Sequence, residues 1–194
     1  MNELFQNLEL HVPLSQQVRE DISRFFTTVT VPAQTRLILA GQLHPPLYYV
    51  REGVLRNFEV FDEKESTNWF FKKGDFAFSM ESLLLGKPSE GHLESCVEAT
   101  LYSISKADFW ALVQKYDSIR NLSNMLAGIY LREAKKHVHY SIHLSAWQRY
   151  RLFLADNPYI ANRVQSNHVA SFLGIFPGSV SRFRRRISTE DSLP

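Results

Sequence analysis

The sequence predicts an α+β protein with one helix, an antiparallel β-rich unit, a long helix and three short helices. Three observations predict this order. Residues 28–104 are rich in Val, Ile, Leu, Phe, Tyr, Thr and Trp and are divided by short turn signals, which is typical of a sandwich or barrel of short strands. Residues 117–140 contain no proline and one glycine, Gly128, so we expect a helix of about 22–24 residues. Residues 166–187 have the apolar spacing of two short helices joined by a tight turn.

The length and composition exclude several classes of protein. A chain of 194 residues holds one or two domains, and 44% hydrophobic with 22% charged residues is incompatible with disorder throughout. The amino-terminal residues lack the basic and apolar regions of a signal peptide, and no apolar run is long enough to span a bilayer, so we expect a cytoplasmic protein with no membrane contact. The single cysteine, Cys96, excludes an internal disulfide and a cysteine-based zinc or iron–sulfur site, and we expect it to be a small buried apolar residue in a strand.

Charge is distributed unevenly along the chain. Residues 1–131 carry a net charge of −4, whereas residues 132–187 carry +8, and the last seven residues carry −2. A basic carboxyl-terminal part indicates nucleic-acid binding. The alternative is a solvated basic face without a nucleic-acid partner.

Several elements have clear start signals. Ser15 can cap a helix whose apolar face holds Val18 and Ile22, Ser105 can cap a second, and Ser145 with Gln148 forms a capping box for a third. The predicted strands are Arg36–Leu39, Leu47–Arg51, Val54–Phe61, Thr67–Phe71 and Cys96–Ile104.

The long helix carries a short heptad pattern. Ile119, Leu122, Leu126 and Ile129 follow one another at steps of three, four and three residues, which is the seam of a coiled coil. We therefore expect these four residues to form the interface of a homodimer. The alternative is that this face packs on the β-rich unit of its own chain.

The segment from Ser166 to Ile187 predicts a helix-turn-helix. Gly174 suits the positive φ at a helix end, and Pro177 suits the first turn of the next helix. In the second helix Val180, Phe183 and Ile187 must point inward. The polar and cationic residues then face outward or lie at the edges of that face, and we expect them to bind double-stranded DNA. These residues are Ser179, Ser181, Arg182, Arg184, Arg185 and Arg186.

The chain resembles the Crp/Fnr family of bacterial transcription regulators. The β-rich unit, with its motifs at residues 47–53 and 70–76, is similar to the family's cyclic-nucleotide-binding β-roll; the long helix is similar to its dimerisation helix, and residues 166–187 to its helix-turn-helix. The resemblance implies an amino-terminal double-stranded β-roll over residues 1–116, a dimerisation helix over 117–144 and a DNA-binding domain over 145–194. It also implies a homodimer on a two-fold symmetric operator, a small-molecule effector, and contact with RNA polymerase.

Two departures from the family qualify this resemblance. The family positions that hold the ribose and the cyclic phosphate fall near Ser79, Ser89 and Glu90 in this chain. Glu81 is a substitute carboxylate and Lys87 is the nearby cation. The candidate effector pocket is therefore Phe76, Ser79, Glu81, Ser89 and Glu90. No arginine is present between Arg56 and Arg120, so we do not expect cAMP to bind in the usual way, and the effector stays unidentified. The chain also ends too soon after the helix-turn-helix for the family's β-hairpin wing, and only Arg182 matches a family base-contacting position.

No catalytic motif is present, and we expect neither an enzyme nor a cofactor. The β-rich stretch over residues 28–104 holds only His44 and His92, with no His-x-His pair that would suit a cupin metal site. His139 and His143 are four residues apart on the long helix near His137, a spacing that either a metal or a polar patch would use, and we expect no metal. The rival function is a ligand-binding β-roll whose carboxyl-terminal helices contact only protein.

Overall fold

The computed structural model describes residues 1–190, with side chains described through Ile187. Nine helices and eight strands are present in this range. The helices are α1 Asn2–Glu9, α2 Gln16–Phe25, α3 Met80–Leu85, α4 Lys106–Lys115, α5 Asp117–His143, α6 Ala146–Asp156, α7 Pro158–Arg163, α8 Ser166–Leu173 and α9 Pro177–Glu190. The strands are β1 Thr27–Val31, β2 Arg36–Ile38, β3 Leu47–Glu52, β4 Val54–Phe61, β5 Lys64–Lys72, β6 Phe76–Ala77, β7 His92–Ser95 and β8 Ala99–Ile104.

The eight strands form a β-roll of two antiparallel four-stranded sheets. The first sheet has the order β1-β8-β3-β6 and the second has the order β2-β7-β4-β5. Alternate residues of each strand point into the roll, as strand geometry requires. Val50 and Leu101 of the first sheet meet Leu55 and Phe71 of the second in one apolar core. The interior of the roll is therefore filled largely by apolar side chains of its own strands.

The outer face of the first sheet is covered by helices. Tyr49 and Tyr102, on the faces opposite to Val50 and Leu101, pack with α1, α2, α4 and the start of α5. Helix α1 was not predicted, although Leu4 and Leu8 are buried in this cluster. The first sheet thus gains a second apolar layer from the amino-terminal and central helices.

The outer face of the second sheet is covered by the carboxyl-terminal helices. Val54 and Phe70 pack with buried residues of α6, α7, α8 and α9, and they alternate with the inward-facing Leu55 and Phe71. The helix-turn-helix is therefore docked directly on the β-roll.

Most predicted caps and strands are confirmed, and the structure adds elements that the pattern did not reveal. The hydroxyls of Ser15, Ser105 and Ser145 each accept a backbone N–H bond at the start of α2, α4 and α6. The predicted strand from Cys96 to Ile104 is wrong in its first part: Cys96 lies in a bend between β7 and β8 and is partly exposed. Burial raises the pKa of its thiol to about 12.

Helix α5 is longer than predicted and uses its heptad residues differently. Ile119 and Leu122 are buried in the core formed with α1, α2 and α4, and Leu126 packs against the same core. The expectation that Ile119 and Leu122 face a second chain is therefore wrong, because the helices of their own chain already cover them. Within the described range no helix combines the length and apolar character needed to cross a membrane.

Candidate DNA-binding surface and effector site

The turn between α8 and α9 has the geometry that the sequence predicts. Gly174 ends α8 with φ of 60° and ψ of 42°, in the left-handed region, where a Cβ would be unfavourable. The N–H of Ile175 donates to the carbonyl of Ala170 at 3.0 Å, which satisfies a terminal carbonyl of α8. Helix α9 then begins at Pro177. The two helices are thus fixed to each other by local backbone chemistry.

Helix α9 buries one face and exposes the other. Val180 is fully buried and Phe183 nearly so, with Ile187 packed at the edge of the same cluster. The Phe183 ring meets the Trp147 ring of α6 edge-on, with centroids 5.1 Å apart. The predicted inward face is confirmed, and it leaves the cationic residues on the outside.

The polar face of α9 divides into two groups. Ser181, Arg182 and Arg185 are exposed, and Arg182 also lies 3.4 Å from the hydroxyl of half-buried Ser179. Arg184 is exposed as well, but its guanidinium reaches back to the neighbouring helices.

Arg184 and Arg186 of α9 contact the neighbouring carboxyl-terminal helices. The Arg184 guanidinium donates to the Ala161 carbonyl at 2.8 Å and to the Ser166 hydroxyl at 3.0 Å. The Arg186 guanidinium lies over the Trp147 ring, 4.3 Å from its centroid. These contacts orient α9 on α6, α7 and α8.

Ser79 and Ser89, two of the residues predicted to line an effector pocket, use their hydroxyls in local hydrogen bonds. The Ser79 hydroxyl caps α3 and donates to the Glu81 carboxylate at 2.9 Å, and the Ser89 hydroxyl donates to the Gly91 carbonyl at 2.7 Å. Glu90 is exposed. The prediction for Phe76 is wrong: its ring points away from the roll interior and packs on Tyr49, with centroids 5.2 Å apart. Ala77, the next residue along the strand, is the one that faces inward.

A charged cluster lies on the outer face of the second sheet, beneath α8. Arg56 is only 2% exposed. Its guanidinium donates to Glu94 through Nε at 3.1 Å and Nη2 at 2.9 Å, and to Glu65 at 2.5 Å. A buried guanidinium needs such partners because transfer out of water is costly. Arg56 is therefore held by its own sheet, on the opposite face from the roll interior.

Helix α8 attaches to this face through polar contacts. The Ser171 hydroxyl accepts the Thr67 N–H at 2.7 Å and donates to the Glu65 carbonyl at 3.2 Å. His168, one turn earlier, is half-buried beside the charged cluster, and burial followed by nearby Arg56 lowers the pKa of its imidazole. The contact between β-roll and helix-turn-helix is thus partly polar.

Comparison with known proteins agrees with this architecture. Residues 28–116 match the family of the cyclic nucleotide-binding domain. Among solved structures, FixK2 of Bradyrhizobium japonicum is 19% identical with a TM-score of 0.75, covering 87% of each chain. A transcription regulator from Eubacterium rectale described as Crp/Fnr is 17% identical, covers 91% of this chain and 85% of its own, and gives a TM-score of 0.72. The Thermus thermophilus catabolite activator protein is 20% identical, covers 97% and 89%, and gives 0.58. No curated protein sequence matches significantly.

The chain has the Crp/Fnr fold. The order of β-roll, long helix and helix-turn-helix extends through nearly the whole described chain, as the sequence predicts. Within its cyclic nucleotide-binding domain, the hydroxyls at the two motif positions, Ser79 and Ser89, are hydrogen-bonded inside the chain. The fold is therefore the one shared with these Crp/Fnr structures, whereas Ser79 and Ser89 use their hydroxyls in hydrogen bonds within the chain.

One exposed aromatic residue of this Crp/Fnr fold was not predicted as a functional residue. Phe176, in the turn before α9, is 78% exposed, and its ring lies close to where a Cβ at Gly178 would stand. In helices that enter the major groove, an apolar residue at this place contacts thymine methyl groups, which makes Phe176 a candidate site residue. Its position in the Gly-Ile-Phe-Pro-Gly turn was the available sequence signal.

The histidines at the end of α5 have separate environments. The His137 ring stacks on Phe172 of α8 with centroids 4.5 Å apart. His139 and His143 are exposed, and their rings lie 4.4 Å apart. Through the described range, His, Cys, Asp and Glu side chains form no group of three suited to a metal ion. His137 therefore belongs to the contact between α5 and α8.

Proposed function

We propose that this protein is a DNA-binding transcription regulator of the Crp/Fnr type. The observation that carries the proposal is α9, whose apolar side is buried on α6 and α8 while Ser181, Arg182 and Arg185 are exposed. A helix held in this way presents its outer face to the major groove, where arginine binds guanine and phosphate. Because such a regulator must reach chromosomal DNA, we also propose a cytoplasmic location. We further propose that the protein has no catalytic activity, since the sequence contains no catalytic motif.

A homodimer follows from the second half of α5. Leu131, Val138 and Ile142 are 73%, 56% and 70% exposed and lie on one side of the helix, with Ala127 and Ala134 between or beside them. These five residues, which we call the open stripe, replace Ile119 and Leu122 as the proposed dimer seam, because apolar residues at near-heptad spacing gain free energy when a second helix covers them. A two-fold dimer would place two α9 helices on a symmetric operator.

The β-roll is proposed not to bind cAMP in the usual way. The interior of the β-roll is apolar. Arg56 of β4 lies on the opposite face of the sheet and is bonded to Glu94, and Lys87 lies in an exposed loop. A cyclic phosphate would therefore lack a bidentate cation. In calorimetry we expect a dissociation constant for cAMP of about 1 mM or weaker, and a micromolar value would overturn this part.

DNA binding is tested by anisotropy with an operator selected from random duplexes and with an unrelated duplex. We expect the logarithm of affinity to fall linearly with the logarithm of salt concentration. Arg182→Ala should weaken operator binding by about 1–3 kcal/mol and relax the preference at one base pair per half-site. Arg24→Ala, an exposed arginine of α2, is the matched control and should change neither affinity.

The contacts of Arg184 change what its removal should do. Because its guanidinium bonds the Ala161 carbonyl and the Ser166 hydroxyl, Arg184→Ala should weaken operator and unrelated DNA alike, whether through a lost phosphate contact or a less firmly held α9. If Arg182→Ala and Arg184→Ala each reduce the affinity for the operator and the affinity for the unrelated duplex by the same factor, the proposed orientation of α9 is wrong. Duplex binding that is absent at low salt would overturn the function and favour the rival protein-contact role. Contact with RNA polymerase stays a prediction.

A further inference from the structure

An open cavity of about 480 Å³ lies between the β-roll, the second half of α5 and the DNA-binding domain. Its walls come from the β5–β6 turn and from α5, α6, α7 and α8, with α1 at one edge. This volume is within the range of small-molecule sites. Of the five residues predicted to form the effector pocket, only Phe76 lines this cavity, because its ring lies on the outer face of the first sheet. Ser79, Glu81, Ser89 and Glu90 do not line it, so the cavity is separate from the effector position expected inside the β-roll.

Aromatic rings form much of the cavity wall. Trp69 enters from β5 and Tyr140 from α5, while Phe172 enters from α8 and stacks on His137. Burial, and then nearby Arg149, lower the pKa of the His137 imidazole, so near neutral pH this ring is an uncharged face. Flat apolar faces on several sides suit a planar ligand, because rings pack on one another by stacking or edge contact.

The charged side chains of the wall favour an anion. Four cations, Lys72, Lys73, Lys136 and Arg149, line the cavity together with the three carboxylates of Asp75, Glu133 and Asp156. Lys136 pairs with Asp156 at 3.1 Å and Glu133 at 3.8 Å, and Lys73 pairs with Glu3 at 3.1 Å, outside this wall. The Asp75 carboxylate accepts the backbone N–H of Lys72 at 2.8 Å.

Lys72 and Arg149 make their described hydrogen bonds to neutral oxygens. The Lys72 ammonium donates to the Asn157 side-chain oxygen at 3.0 Å and to the Asp156 carbonyl at 3.4 Å. The Arg149 guanidinium donates to the carbonyls of Leu173 at 2.9 Å and Leu144 at 2.7 Å, where α8 and α5 end. A cation solvated by dipoles in a partly enclosed site still attracts an anion, because the low dielectric weakens screening.

We propose that this interdomain cavity is a binding site for a small aromatic anion. The ring would lie among Trp69, Tyr140 and Phe172, and the anionic group would lie against the Lys72 ammonium. The occupant would contact the β-roll, α5 and the helix-turn-helix at once, so its binding would stabilise the docked arrangement of these units. The site itself does not require that the protein bind DNA.

The test uses 1-anilinonaphthalene-8-sulfonate, an aromatic sulfonate whose emission rises on binding, with the full chain. Lys72→Met should raise its dissociation constant about tenfold, as expected for loss of a charge-assisted contact. Ile129→Trp, which narrows the cavity from α5, should do the same without removing a charge. Lys87→Met, a lysine outside the cavity near Ser89, is the matched control and should leave the constant unchanged.

A second readout locates the dye, since it also binds exposed apolar surface in general. Energy transfer from tryptophan to the dye should be largely lost in Trp69→Phe and retained in Trp110→Phe, both made in a Trp147→Phe background, because of the three tryptophans only Trp69 lines the cavity. Retained transfer in Trp69→Phe, or an unchanged constant in both Lys72→Met and Ile129→Trp, would overturn the proposal. Loss of dye binding in Leu131→Lys alone would overturn it by placing the dye on the open stripe. Circular dichroism confirms that each variant is folded, and DNA titrations of the same samples show separately whether the proposed function holds.

Discussion

The two halves of helix α5 have similar apolar spacing and different surroundings. In the first half Leu122 is 4% exposed, buried with Ile119 in the core of its own chain. In the second half Leu131 is 73% exposed, and Val138 and Ile142 on the same side of the helix are also exposed. The first half therefore stabilises the monomer, and the second half keeps an apolar surface for which the described chain provides no cover.

The opposite side of the second half has a third kind of environment. His137 stacks on Phe172 and Lys136 bonds Asp156 of α6 at 3.1 Å, so this side contacts the DNA-binding domain through polar and aromatic groups. Interfaces between domains are commonly more polar than cores. One helix thus serves the fold of the β-roll, the docking of the helix-turn-helix and the proposed dimer at different positions along its length.

The largest expected effect separates the two halves by stability. Leu122→Ala should lower the free energy of unfolding by about 2–5 kcal/mol, because it leaves a cavity in a closed core. Leu131→Ala, the matched change in the second half, should alter monomer stability by no more than about 0.5 kcal/mol. Urea unfolding, at protein concentrations below the dissociation constant of the dimer, measures the change in unfolding free energy for each variant. Equal decreases in the free energy of unfolding for the two variants would show that both halves of α5 are packed in the core of the monomer.

The second largest effect distinguishes the two halves of α5 by their contribution to dimerisation. Leu131→Glu should weaken dimerisation at least tenfold, because burying a charge against apolar partners costs about 2 kcal/mol or more and about 1.4 kcal/mol corresponds to a tenfold change in affinity. Asn121→Glu, an exposed position in the first half, should leave dimerisation unchanged. Sedimentation equilibrium decides between them, and a wild-type monomer at micromolar concentration would remove the basis for the open stripe as an interface.

The smallest effect is a pH dependence on the side of α5 that faces the DNA-binding domain. Because burial and Arg149 lower the pKa of His137, the unfolded chain takes up this proton at higher pH than the folded chain. The free energy of unfolding should therefore fall as pH decreases below histidine's ordinary pKa of about 6.5, until the lower folded pKa is passed. His137→Gln should flatten part of this slope, whereas His139→Gln, at an exposed position, should not. An identical slope in wild type and His137→Gln would show that the ring's burial has no energetic consequence.

Much of the fold was predictable because its signals are local. Serine caps, the glycine turn at Gly174 and the inward spacing of Val180 and Phe183 depend on backbone geometry within a few residues. Strand β4 was predicted with its observed bounds, Val54–Phe61. Helices α1, α3 and α7 and strands β1, β6 and β7 were missed. Each has eight residues or fewer, and the strands pair with partners that are distant in sequence.

The candidate sites were predictable only in part. The outward face of α9 follows from the period of its apolar residues, but the turning of Arg184 toward Ala161 depends on where α7 lies. Phe76 was assigned to an effector pocket from its place in a motif, and the pleat of β6 directs it to the other side of the sheet. A shift of one residue along a strand reverses the face, so a motif alone does not decide it.

The sequence by itself determined the order of the β-rich unit, the long helix and the helix-turn-helix, and the cationic face of α9, because each depends on periodicity and turn chemistry along a short stretch. Only the tertiary structure decided which part of α5 is covered, that Arg56 is buried beneath α8, and that a cavity opens between the β-roll and the carboxyl-terminal helices. These features arise where distant segments meet, as when the Thr67 N–H reaches the Ser171 hydroxyl across 104 residues. Burial and pairing of this kind are properties of the packed chain, since the same leucine is a core residue or a surface residue according to what lies opposite it.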